Sequence, residues 1–134
     1  MPVPVRSEAG GLVTKASPRS VTETVSRLLE LVAARGMKVF AVIDHSGEAA
    51  ATGLELRDTK VVVFGSPAAG TPVMEAVPVI ALDLPLKVLV WEDAGQTLVT
   101  YTAPGELADR YHLSADLAAR LAGIDPLTDV LVAD

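Results

Sequence analysis

Residues 86–102 read LKVLVWEDAGQTLVTYT, and this stretch decides the fold class. Two runs of β-formers flank Asp93-Ala94-Gly95, which reads as a three-residue hairpin loop with Gly95 in the left-handed position. That register sets Glu92 against Gln96, Trp91 against Thr97, Leu89 against Val99 and Lys87 against Tyr101. Side chains alternate along a strand, so Lys87, Leu89, Trp91, Val99 and Tyr101 share one face, and Leu86, Val88, Val90 and Leu98 share the other. The second set is aliphatic and belongs beneath helices. The first mixes a cation, the only tryptophan and a tyrosine, as a half-wet pocket or an interface does. A two-residue loop at Ala94-Gly95 instead sets Tyr101 against Val88 and parts it from Lys87 and Trp91.

Upstream, Val61 to Phe64 is a run of β-formers typical of a strand buried on both faces. FGSPAAGTP follows at residues 64–72, with Ser66 placed to cap and Pro67 suited to a first helical position. Ser20-Val-Thr-Glu23 is a capping box. Val21, Val25, Leu28, Leu29 and Val32 then recur at helical spacing up to Gly36, giving a helix over 21–35. Met37 to Asp44 reads as a strand, His45 to Thr52 as a short helix ended by Gly53, and Leu12 to Ala16 as an extended segment opened by Gly10-Gly11. Downstream, Glu106 to Tyr111 is a further helix, and the tail after Ser114 holds helical turns split at Gly123–Pro126. Strands run consecutively instead of alternating with long helices, so the class is α+β with a mainly antiparallel sheet covered by helices on one face.

Composition narrows the function classes. At 134 residues the chain suits a single domain. With no cysteine, disulfide scaffolds, thiolate metal sites and cysteine nucleophiles are excluded, and a fold without disulfides suits the cytoplasm. The opening MPVPVRSEAG has no apolar leader region. Val77 to Trp91, the longest mostly apolar stretch, is interrupted by Asp83 and Lys87 and broken by Pro78 and Pro85, so it falls short of a membrane span. Eleven basic and seventeen acidic residues give a net charge of −6. No Lys/Arg cluster marks a nucleic-acid footprint. Half the residues are hydrophobic and the mean hydropathy is +0.40, which points to apolar surface covered by another copy of the chain. An Ala- and Val-rich composition that merely inflates the index is the alternative.

Four features are candidates for chemistry. Lys87, Trp91 and Tyr101 on one hairpin face form the first; a Lys stem lying over Trp91 is the plainer reading. Asp44-His45 offers an imidazole as general base, although Asp44 can instead cap the following helix. FGSPAAGTP presents Ser66 and Thr71 in a Gly-bracketed loop that matches neither a P-loop nor a nucleophile elbow, and a chain-redirecting turn is the plainer account of it. Asp83 lies between Leu82 and Leu84 and needs a partner if buried; Lys87 is nearest in sequence. His112, at a helix terminus, reads as structural. Neither histidine has a companion at ligand spacing, so no metal site or cofactor is expected.

IDHSGEAAATGLEL, VVVFGSPAAGTPVM, ALDLPLKVLVWED and VTYTAPGELADRY, in that order, resemble the family called domain of unknown function 302, over roughly Gly10 to Leu113. The family pattern falls on His45, on Gly65, Pro67, Gly70 and Thr71, on the run Leu82 to Lys87, and on Trp91 and Tyr101. Ser66 departs from it, since asparagine is usual there. The resemblance implies a β-α-β-β-β-β-α arrangement of the TATA-box-binding-protein-like class in a small dimer-forming protein. It does not imply DNA binding, because fold does not fix function. The expectation is one domain over 1–134, a family-like core at about 10–113 and a helical tail at 114–134.

Two functions follow. One is a non-enzymatic homodimeric module for a small ligand, sited near His45, Ser66, Thr71, Asp83, Lys87, Trp91 and Tyr101. The other is a small hydrolase or isomerase with His45 as general base and Lys87 as electrostatic stabiliser. The second requires His45 within hydrogen-bond reach of Ser66, Thr71 or Asp83.

Overall fold

Ser20 opens helix α1 (Val21–Ala34). Its hydroxyl accepts from the Glu23 N–H at 3.1 Å and the Glu23 carboxylate accepts from the Ser20 N–H at 3.3 Å, the reciprocal box that the sequence indicates. Val21, Val25, Leu28 and Val32 form its buried stripe. Each such side chain contributes about 1.5–3 kcal/mol on burial, so the stripe fixes which face of α1 meets the sheet.

The computed structural model describes residues 5–8 and 10–134. Met1 to Pro4 and Ala9, part of the segment read as lacking an apolar leader, lie outside them. Six strands follow chain order as β1 (Val5–Glu8), β2 (Leu12–Ser17), β3 (Lys38–Asp44), β4 (Thr59–Gly65), β5 (Leu86–Asp93) and β6 (Gln96–Thr102). They form one sheet in the order β1-β2-β6-β5-β4-β3, and every neighbouring pair is antiparallel. Between and after them lie α2 (His45–Ala51), α3 (Pro67–Ala76), a 3-10 turn (Pro78–Leu82), α4 (Pro104–Arg110), α5 (Ala115–Ala119) and α6 (Ile124–Val132). The α+β class and the antiparallel sheet are as expected. Strand β1 is an addition. Its connection to β2 passes through Gly10 and Gly11, both at positive φ, and a Cβ on Gly11 would meet the Glu106 side chain at 2.6 Å.

The hairpin corrects the expected register. Asp93 pairs with Gln96, Glu92 with Thr97, Trp91 with Leu98, Val90 with Val99 and Leu89 with Thr100. The loop is therefore the two residues Ala94-Gly95, with φ of 51° and 83°, the two positive values that a type I′ turn demands. Ala94 was an unexpected occupant of a left-handed position. The winning register puts Val88, Val90, Val99 and Tyr101 together with Val62 and Phe64 in one buried cluster with Val25, Leu28 and Val32 of α1. Burying all of these outweighs one strained alanine, whose cost is about 1–2 kcal/mol. Tyr101 lies on the helix face, while Lys87, Leu89 and Trp91 point to the opposite one.

The C-terminal segment belongs to that core. Ile124, Leu127, Leu131 and Val132 of α6 are buried against it. Pro126 does not split this helix but sits in its first turn, where its missing N–H is not needed. Lys15 on β2 reaches under α6: its Nζ donates to Thr128 Oγ1 at 2.7 Å, to Asp129 Oδ1 at 2.8 Å and to the Asp125 carbonyl at 3.1 Å. The same Nζ lies 5.3 Å from the centre of the Tyr101 ring, and the Tyr101 hydroxyl donates to Asp125. Lysines thus lie over aromatic rings at Lys15–Tyr101 and at Lys38–Phe40, where the Nζ is 5.0 Å from the ring centre, and not at Lys87–Trp91.

Candidate functional site

The β3–β4 ladder is interrupted at one place. Val39 pairs with Phe64 and Ala41 with Val63, so Phe40 is an extra residue that opposes nothing. Bulges bend a strand and re-aim a side chain. Here Phe40 lines a cavity of about 460 Å³, a volume within the range of small-molecule sites.

FGSPAAGTP forms one wall. Gly65 ends β4, and the Ser66 hydroxyl caps α3 by accepting from the Ala69 N–H at 3.2 Å. Pro67 occupies the first turn. This aims Ala69, Gly70 and Met74 of α3 at the space. Met37 just after α1, Phe64 and Leu86 form the floor, and Leu121, Ile124 and Leu127 close the far side. The lining is apolar except for Ser66, Thr71 and two arginines at the rim, Arg35 at the end of α1 and Arg120 at the end of α5.

Of the expected site residues, the cavity gathers only Ser66 and Thr71. His45 begins α2, beside the end of β3 that pairs with Lys60. Ser66 follows the other end of β4, roughly 17 Å away at about 3.3 Å per residue. The reach required for general-base chemistry with Ser66 is absent, and Asp83 lies at the Ser66 end as well. Asp44 does not orient His45. It caps α2 by accepting from the Gly47 N–H and the Ser46 hydroxyl, and these bonds hold its carboxyl below the ordinary carboxylate range.

Asp83 has partners other than Lys87. The Tyr111 hydroxyl donates to it, and Arg110 pairs with it at 3.1 Å. The tyrosine bond first, and the arginine after it, lower the Asp83 pKa, while the bond to Asp83 raises that of Tyr111. This cluster ties α4 to the segment before β5. Lys87 stands opposite Val63 on the other face of the sheet. Trp91 shares that face, and its indole N–H donates to Thr100 Oγ1 at 3.0 Å, while Thr100 bonds Thr14 at 2.9 Å. Tyr101 is walled off under α6, its pKa pushed up by burial first and by Asp125 second. The composite site of Lys87, Trp91 and Tyr101 therefore does not form.

Sequence reasoning missed Phe40, Arg35, Arg120 and the wall from α6. The i, i+3 spacing of Leu121, Ile124 and Leu127 was a readable sign of a packed helix. The bulge at Phe40 left no sign in the sequence. Among the described residues, no group of three or more His, Asp or Glu side chains is arranged to hold a metal ion, and no helix is long and apolar enough to cross a membrane.

Comparison with known proteins identifies the family. The chain is 39% identical over 129 residues to the fluoride-specific ion channel FluC 1 of Brucella suis biovar 1, covering 92% of this chain and 51% of that protein. FluC 2 of Brucella melitensis biotype 1 is likewise 39% identical, with 92% and 48% covered. The chain thus spans about half the length of these curated relatives. A crystal structure of an uncharacterized conserved DUF302 protein from Bacillus stearothermophilus superposes with a TM-score of 0.78, covering 91% of this chain and 95% of that one at 19% identity, and so shares the fold. The model of the family described as "Domain of unknown function DUF302" matches residues 13–128, past Leu113 and through most of α6. The chain belongs to the DUF302 family.

Proposed function

We propose that the protein is a non-enzymatic binding module that takes a small, largely apolar molecule into the cavity between the FGSPAAGTP turn, the β3 bulge and α6. The observation that carries this reading is the cavity itself: about 460 Å³ lined by Phe40, Phe64, Met37, Met74, Leu121 and Ile124. Aliphatic and aromatic walls with a few polar groups at the rim are the usual construction of a ligand site. No nucleophile with a base in reach accompanies it among the described residues, which favours binding over catalysis. In the relatives named as fluoride channels, the pore must cross a membrane. We place it in the half that this chain does not match, with the DUF302 half as a module joined to it. The module acts in the cytoplasm, where a cysteine-free chain is at home, and its net charge of −6 gives nucleic acid no purchase.

We further propose that the module is a homodimer joined through β3. This edge strand exposes Phe40 and Val42 at 45% each and Ile43 at 39%. It carries no proline, and apart from Lys38, Asp44 and the bulge at Phe40 it has few of the usual protections of a free edge. Pairing with its two-fold mate is self-complementary. Light scattering should give twice the chain mass for the wild type and the single-chain mass for Val42→Lys; a monomeric wild type would remove the dimer.

The binding reading is tested with the neutral fluorophore N-phenyl-1-naphthylamine. Saturable enhancement at one probe per chain is expected, and it should vanish in Ala69→Phe, which fills the cavity from α3. No saturable binding, or equal binding by the filled variant, contradicts the reading.

A further inference from the structure

We infer that the ligand is an amphipathic anion: a small apolar body carrying one carboxylate or similar acidic group, held at the rim by Arg35 and Arg120. The inference rests on the cavity being the binding site. Its warrant is the sign of the charge there. The chain has seventeen acidic and eleven basic residues, yet among the described residues the only charged side chains lining the cavity are these two arginines, and no carboxylate faces it.

An arginine at a helix C-terminus is favoured by the helix dipole wherever its guanidinium points. That accounts for Arg35 and Arg120 separately but not for their meeting at one opening from two helices distant in sequence. Their guanidinium groups are also uncommitted. Arg19, Arg27, Arg57 and Arg110 all hydrogen-bond to carbonyls or carboxylates, whereas neither Arg35 nor Arg120 makes a side-chain hydrogen bond or ion pair among the described residues. Both are exposed, so they keep their hydration until an anion arrives and cost the empty site little. A guanidinium presents paired N–H donors that match a carboxylate in plane. Below the rim the walls offer no further charge, so an elongated acid enters tail first and leaves its head between the arginines. The Ser66 hydroxyl, which lines the same wall, accepts from Ala69 and still has its own proton to donate.

The test is displacement of N-phenyl-1-naphthylamine from the full chain by octanoate and by octanol, which share an apolar body and differ in charge near neutral pH. Octanoate should displace the probe at about tenfold lower concentration than octanol, the scale of one charge-assisted hydrogen-bonded pair. In Arg35→Gln/Arg120→Gln the preference for octanoate should be lost through weaker octanoate binding. Both substitutions are at exposed positions, and an unchanged far-ultraviolet circular dichroism spectrum and urea midpoint confirm that the double variant is folded. The octanoate preference of the wild type should also shrink as salt is raised. If the probe binds but octanol competes as well as octanoate, or the preference survives in the double variant, the anion inference is overturned while the cavity reading stands. If the probe does not bind the wild type, both fall.

Discussion

Lys15 offers a quantitative test of how the C-terminal helix is held in the core. Its side chain is 4% exposed, whereas its ion-pair partner Asp129 is 65% exposed. Lys15→Met keeps the apolar stem and removes the amine. The Thr128 hydroxyl then still donates to the Ile124 carbonyl at 2.8 Å, and Asp129 is free to rehydrate, so no buried group is orphaned. Replacing a buried charge by an apolar residue of similar volume is often close to neutral, and the net cost should be about 1 kcal/mol. Lys15→Ala loses the same polar contacts and also three methylenes packed beneath α6. At roughly 0.8 kcal/mol each, before any cavity term, the total rises to about 3–4 kcal/mol. Equilibrium urea unfolding should therefore show a small shift of midpoint for Met and one about three times larger for Ala, at unchanged slope. If Met is as costly as Ala, the polar net fastens α6 and the packing argument is wrong; if Ala costs under about 1 kcal/mol, the stem is not packed there.

Three other outcomes follow from particular residues. Ala94→Asn should stabilise the fold by about 0.5–1 kcal/mol in the same unfolding assay, since Asn-Gly suits the two left-handed positions that Ala94-Gly95 occupy; a loss would refute the type I′ assignment. His45→Ala should cost under about 1 kcal/mol and leave probe binding unchanged, as an exposed residue at the far end of β4 from the cavity; weakened binding would return His45 to the site. Both tyrosines have raised folded-state pKa values, Tyr101 through burial and Asp125, Tyr111 through Asp83. Phenolate absorbance should thus be well under half developed at pH 10 in the native protein and near half in urea, where the ordinary value of about 10 returns. The linked stability is complete below pH 10 and is lost as pH rises toward the folded values; ordinary titration of the native protein would contradict both hydrogen bonds.

Much of the fold could be read from the sequence because its signals are local. The capping box at Ser20, the stripe Val21-Val25-Leu28-Val32 and the stop at Gly36 depend only on neighbours a few residues away, and α1 forms as read. The hairpin was readable to within one residue, and that residue decided the site. Gly95 in the left-handed position is common to both loop lengths. The choice between them lies in whether Val99 and Tyr101 join Val88 and Val90 under α1, a comparison of tertiary burial that no turn preference contains. Tyr101 then turns inward to Asp125 and Lys15, and the mixed face dissolves. The cavity was half legible. FGSPAAGTP drew notice for its hydroxyls, whereas its contribution is the backbone geometry that aims α3. The opposing wall comes from the turn between α5 and α6 and from α6 itself, neither of which carries a motif, and from a bulge that no residue type announces at Phe40.

Occupation of the cavity by a small molecule is reported directly by the methionine methyl groups. The chain has three methionines, and two of them, Met37 and Met74, line the cavity from different elements. In protein labelled at the methionine methyl carbons, titration with octanoate should move the Met37 and Met74 resonances together. It should also give cross-peaks from both to the ligand chain, and Ala69→Phe should abolish both effects. Resonances of Met37 and Met74 that stay fixed while octanoate binds elsewhere, or that move equally in the filled variant, would contradict the account.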